Sequence, residues 1–106
     1  MFGFGKKEMD KNAAIAFWKW YVENEQWIID NVKGNGMDVV MAIDEVLTPV
    51  FPYFRREIEF YLGFNDGVGE FFFNHMGNRN LIRDGKALAD MMPEKLKGRW
   101  KFCLER

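Results

Sequence analysis

Apolar residues recur along this chain with two different periods, and the change of period divides it. Over residues 11–33 they fall three and four apart, so that Ala14, Phe17, Trp18, Tyr21, Ile28 and Val32 share one broad face of a helix. Trp20 and Trp27 lie on a second stripe, which makes this helix apolar on more than one side. Asp10 or Asn12 can cap its start, and Gly34-Asn35-Gly36 suits its end. A second helix is predicted from near Asp38, with Val39, Val40, Ile43, Val46, Leu47 and Val50 as its buried face and Pro49 and Pro52 closing it. The short turn between the two makes an antiparallel helical hairpin.

Beyond Pro52 the period falls to two. Ile58, Phe60, Leu62 and Phe64 alternate in a strand predicted over residues 57–64, and Asp66-Gly67 suits a hairpin turn with positive φ. A second strand is predicted over residues 70–76. With Asp66 and Gly67 as the turn, Leu62 faces Phe71, Phe60 faces Phe73 and Ile58 faces His75, while Tyr61, Phe72, Asn74 and Met76 take the opposite face. A third helix is expected over residues 80–92, with Leu81, Ile82, Leu88, Met91 and Met92 on its core side. Gly85 inside it lowers helix propensity by roughly 1 kcal/mol relative to alanine. A last strand over residues 99–104 alternates Trp100, Phe102 and Leu104 against Lys101 and Cys103, with Glu105 continuing the second set.

The fold class is therefore α+β: two N-terminal helices, then β-hairpin, helix and strand, in the order ααββαβ. A helix crossover after the hairpin gives a three-stranded mixed sheet in order 1-2-3, with strand three parallel to strand two. The alternative sets strand three antiparallel beside strand one. Three helices would crowd one face of so narrow a sheet, so either one helix turns to the back face or that face stays half open. Residues 1–10 read as a flexible N-terminus and 11–106 as a single domain.

Two stretches carry a resemblance. One is the aromatic helix Phe17-Trp18-Lys19-Trp20-Tyr21 with its Asn24-Glu25 pair; the other is the apolar strand from Phe71 to Gly77-Asn78, a helix, and the Trp100-Lys101-Phe102 strand. Together they resemble a group of uncharacterised bacterial proteins and cover most of residues 13–103. Where that group ends its strand Ala-Glu-Gly-Asn, this chain has His75-Met76-Gly77-Asn78. The resemblance implies an α+β fold and no known activity.

Composition excludes several chemistries. The chain has no serine, so it is not a serine hydrolase; one histidine and one cysteine cannot complete a four-ligand zinc site of those residues. No cofactor and no metal site is indicated, although a carboxylate-only metal site stays open. A net charge of −1 creates no field favouring nucleic acid or an anionic membrane. No apolar run approaches the roughly 18 residues of a membrane-spanning helix. The opening Met1-Phe2-Gly3-Phe4-Gly5-Lys6-Lys7 is ordered the wrong way round for a signal peptide, and Cys103 has no internal partner for a disulfide, so the cytoplasm is the expected location.

Three constellations carry candidate chemistry. Asn24 and Glu25, on the apolar side of helix one, are either a buried acid acting as general base or metal ligand, or a polar pair bonded to the backbone of a neighbouring loop. His75 is either an acid–base group or a packed residue held by one carbonyl; a Cys103–His75 nucleophile pair is disfavoured because alternation sends the two side chains to opposite faces. Gly77, Asn78, Arg79 and Asn80 join a strand to a helix, where free N–H groups hold anions, with Arg79, Arg83 and Lys86 forming a basic stripe. The plainer reading is ordinary capping and a solvated face.

The aromatic surplus, 17% of the chain, points to contact with another protein. The expected function is a non-enzymatic interaction domain that forms a homodimer or binds another protein. Trp20 and Trp27 would participate if helices meet, and Tyr61, Phe72 and Met76 if sheets meet. The alternative is a small enzyme or anion-binding domain using Glu25, His75 and the Gly77–Asn80 loop.

Overall fold

The computed structural model describes residues 7–105. Most of the flexible start expected at residues 1–10 therefore lies outside the described residues. The elements run in the expected order. Helix α1 spans Lys11–Asn31, and Asp10 is its cap, accepting the Ala13 N–H at 3.0 Å. Helix α2 spans Gly36–Leu47, starting two residues before Asp38. Asp38 sits instead in the first turn, where a carboxylate faces the positive end of the helix dipole. Asn35 at the cap position turns its amide back to Asn31 Oδ1, 3.1 Å away. A 3₁₀ turn, Thr48–Val50, carries the proline that stops α2.

Strands β1 (Glu59–Asn65) and β2 (Val68–Asn74) form the hairpin, α3 (Arg79–Asp90) crosses over, and β3 (Trp100–Glu105) returns. The sheet has the order β1-β2-β3, with β1 and β2 antiparallel and β2 and β3 parallel. Register is the expected one: Phe60 opposes Phe73 and Leu62 opposes Phe71. Asp66 (φ 54°) and Gly67 (φ 79°) are both left-handed, as a two-residue type I′ turn requires, and this turn fixes the register. The expected pair of Ile58 with His75 does not form, because the ladder ends at Glu59 and Asn74. β2 also ends two residues short of Met76, whose φ of 53° takes the chain out of the strand. Met76 consequently leaves the Tyr61 face and packs beside the core.

The helices lie over one face of the sheet. Phe17 meets Phe71 at 6.2 Å, Trp18 meets Phe102 at 5.9 Å and Tyr21 meets Trp100 at 5.1 Å, all close to edge-to-face. Phe51 covers Phe73 at 5.2 Å. Helix α3 approaches through Gly85, where a Cβ would lie 2.8 Å from Leu104 and 3.0 Å from Phe73. The propensity lost at this glycine is therefore the condition for close helix–sheet contact.

Crowding is avoided by placing α2 against α1 and the 3₁₀ turn, through Val39, Ile43 and Leu47. Val40, expected in that buried face, is 39% exposed, because a helix resting on one neighbour buries a narrower stripe. The back face of the sheet stays open. It carries Tyr61, Phe72 and Cys103 among Glu59, Glu70, Asn74, Lys101 and Glu105. Among the described residues no helix is long and apolar enough to cross a membrane.

Candidate functional site

Glu25 falls in helical phase with Tyr21 and Ile28, which brings its carboxylate to the start of β3. It is 8% exposed. Trp100 Nε1–H donates to Oε2 at 2.9 Å, and the Arg99 guanidinium donates to Oε1. The Trp100 ring lies over Gly69 on β2, where a Cβ would come within 2.5 Å of it. Glycine at that position is what lets the indole reach the acid. The Tyr21 hydroxyl is buried nearby without a hydrogen-bond partner, and its ionisation is pushed well up, by burial first and then by the Glu25 charge. A cavity of about 200 Å³ opens beside this cluster, between Phe64, Ile29 and the Arg99 loop.

Both oxygens of Glu25 are thus engaged, and the acid ties α1 to β3. Asn24 does not share the task. Its amide donates to the Trp20 carbonyl at 2.9 Å within the same helix, not to a neighbouring loop.

His75 lies at the other end of β2. Its backbone N–H donates to the Glu105 carbonyl at 2.7 Å, and its ring Nδ1 accepts the Gly77 N–H at 3.0 Å, so the ring is held by an amide and not by a carbonyl. Gly69, beside Trp100, and His75 are separated by the length of β2, roughly 20 Å of strand. Glu25 and His75 therefore do not converge on a common substrate position.

The loop after His75 uses most of its N–H groups internally. Asn78 Oδ1 accepts from Asn80 and Leu81 at 2.9 and 3.1 Å and is the cap of α3. Met76 N–H donates to Asn74 Oδ1 at 2.9 Å and Asn78 N–H to the His75 carbonyl at 2.8 Å. Arg79 is exposed, and Arg83 points away from the loop. The N–H groups of Met76, Gly77, Asn78, Asn80 and Leu81 are thus engaged within the chain, and Arg83 is turned to Asp84.

Arg83 instead holds Asp84, a buried acid outside the three constellations named from the sequence. Arg83 Nε and Nη2 donate to its two oxygens at 2.8 and 2.9 Å, and the Tyr53 hydroxyl donates to Oδ2 at 2.6 Å. Burial acts to raise the Asp84 pKa, but the Arg83 and Tyr53 hydrogen bonds outweigh it and hold the acid below its usual range. Burial and the bond to Asp84 push Tyr53 far up in turn. The signal for this cluster was an acid three residues after Leu81 and four before Leu88, inside the apolar stripe of α3.

Among the interface candidates, Trp20 is half-buried against the core, whereas Trp27 is exposed. Tyr61 stacks on Phe72 with ring centroids 4.7 Å apart and reaches over the sheet to Glu105, at 2.5 Å. Cys103 pairs in register with Phe72 on the same face. Burial raises its thiol pKa, and the Glu70 and Glu105 carboxylates raise it further, the opposite of what activates a thiolate. Among the described residues no three metal-ligating side chains gather. No protein-family model, curated protein or solved structure matches the chain.

Proposed function

We propose that this chain is a non-enzymatic protein-interaction domain that self-associates through the open face of its sheet. The observation that carries this reading is the Tyr61–Phe72 stack, with Tyr61 53% exposed on a face over which no helix packs. Aromatic rings on a rigid sheet offer contact area at low entropic cost. The charges around them are mixed: Lys101 stands with Glu59, Glu70 and Glu105, so a two-fold pairing sets the lysine of one copy against an acid of the other. The same acids disfavour nucleic acid on this face.

An enzyme needs its acid, base and binding groups within reach of one reacting atom. Glu25 and His75 are held apart, each engaged by its own surroundings, and this weighs against the catalytic reading.

Light scattering at micromolar concentration is the test. A dimer mass is expected for the native chain and a monomer mass for Tyr61→Lys, with unchanged circular dichroism. A native chain that is monomeric at every concentration overturns the reading.

A further inference from the structure

A second surface is built differently. Helix α2 and the start of β1 form the walls of a groove of about 520 Å³. One wall is apolar and exposed: Met37 at 72%, Met41 at 62% and, less so, Val40. The other is the chain from Glu57 through Tyr61, with Asn74 of β2 beside Glu59 at one end. From Glu59 onward this wall is β1, an edge strand of the sheet. The two-residue turn makes Asn65 and Val68 a hydrogen-bonded pair, and alternation back along β1 leaves the N–H and C=O of Phe60 and Leu62 pointing outward. Among the described residues no backbone group bonds to that edge. β1 carries no proline or lysine to blunt it.

The charges say what fits. Asp44, Glu57 and Glu59 line the groove, and the adjoining hollow around Trp27 adds Asp38 and Glu45. No lysine or arginine lines either. The chain from Gly34 to Phe54 contains none at all.

We infer that the groove between α2 and β1 takes an extended segment of another protein, which adds to β1 as a fourth strand. The segment alternates apolar side chains, seated on Met37, Val40 and Met41, with lysine or arginine facing the acids. Backbone pairing supplies affinity and the alternate side chains specificity. Methionine suits such a wall because its unbranched side chain adapts to the guest. A second copy pairing through its own β1 would bring a strand with no lysine or arginine to face Asp44, Glu57 and Glu59, and nucleic acid or an anionic membrane meets repulsion from the same acids. The inference rests on reading the chain as an interaction domain; Glu59, Tyr61 and Asn74 border both surfaces, whereas the α2 wall and the outward amides of Phe60 and Leu62 belong to the groove alone.

Selection of a displayed random dodecapeptide library on the full chain tests it. Enriched peptides are expected to alternate apolar and basic residues. A synthetic copy of the most enriched peptide should slow hydrogen exchange at the Phe60 and Leu62 amides, and Met41→Lys should weaken its binding by about tenfold or more. Met41 is exposed, so this variant keeps its fold; Val40→Lys is the second probe of the same wall. No enrichment, acidic peptides, unprotected Phe60 and Leu62 amides, or binding indifferent to both variants each overturn the inference. So does protection of those amides by concentration alone, which assigns the edge to a second copy. Light scattering on the same samples separates the two readings. A monomer that binds the peptide sinks only self-association through the open face, and a dimer with a bare β1 edge sinks only this inference.

Discussion

Three consecutive phenylalanines on β2 separate the two faces of the sheet. Phe71 and Phe73 point under the helices and are buried, while Phe72, between them, lies on the open face against Tyr61. The residue type is the same and the backbone is continuous, so the contrast is entirely in what packs above each ring. The covered face is a fold-forming surface, and its aromatic rings are worth what their burial is worth. The open face carries its rings without a helix above them, so less of their surface is removed from water within one chain.

The largest test of this contrast is truncation on either side of the same strand. Phe73→Ala should cost about 3–5 kcal/mol, because the ring is fully buried between Phe51, Phe102 and α3 and leaves a cavity. Phe72→Ala should cost about 1 kcal/mol or less, measured by urea unfolding at concentrations too low for association. Comparable losses at the two positions would mean that the open face is covered within one chain.

A finer test uses two glycines of the hairpin. Gly69 faces the helices, and a Cβ there would sit 2.5 Å from the Trp100 ring. Gly69→Ala should therefore push the indole off Glu25 and cost about 1–3 kcal/mol. Gly63 faces the open side, where the nearest atom to such a Cβ belongs to Phe72 at 3.5 Å, an ordinary contact. Gly63→Ala should change stability by less than about 0.5 kcal/mol, and tryptophan fluorescence should shift only in the first variant. A Gly69→Ala chain with native stability and fluorescence would show that Trp100 is not held where it lies.

The smallest effect appears only in alkali. Tyr21, on the covered side, keeps its proton well above the usual tyrosine range, chiefly because it is buried and next because Glu25 is near. A folded-state pKa raised above the unfolded value of about 10 means the stabilisation is complete below that pH and is lost as pH rises through it. Tyr61 is also raised, first by its hydrogen bond to Glu105, but it is solvent-exposed and ionises without unfolding. Phenolate absorbance should thus rise in two stages, Tyr61 first and then Tyr21 together with Tyr53, the later stage accompanied by loss of circular dichroism. Tyr21→Phe should shift that second stage upward in pH; no shift would remove Tyr21 from the alkaline transition.

Much of this molecule was legible in the chain because its determinants are local. The 3.6- and 2-residue periods place all three helices and three strands, Asp10 caps the first helix, and Asp66-Gly67 by itself fixes the hairpin register and hence which residues share a face. Element ends were less legible. The chain left β2 early through the positive φ of Met76, a backbone state that no periodicity reports.

What the sequence could not decide is which surfaces meet. Glu25 was visible as an acid on an apolar stripe, but its partners Arg99 and Trp100 lie more than seventy residues away, and only packing brings them together. Nothing in the local pattern says how far His75 lies from Glu25, and the length of β2 keeps the two apart. Helix α2 could have lain on either face of the sheet. Its placement against α1 left one face bare and turned Met37 and Met41 toward the β1 edge. Local periodicity says that a side must be buried, whereas the choice of partner depends on how many helices fit across three strands, a property of the assembled chain alone.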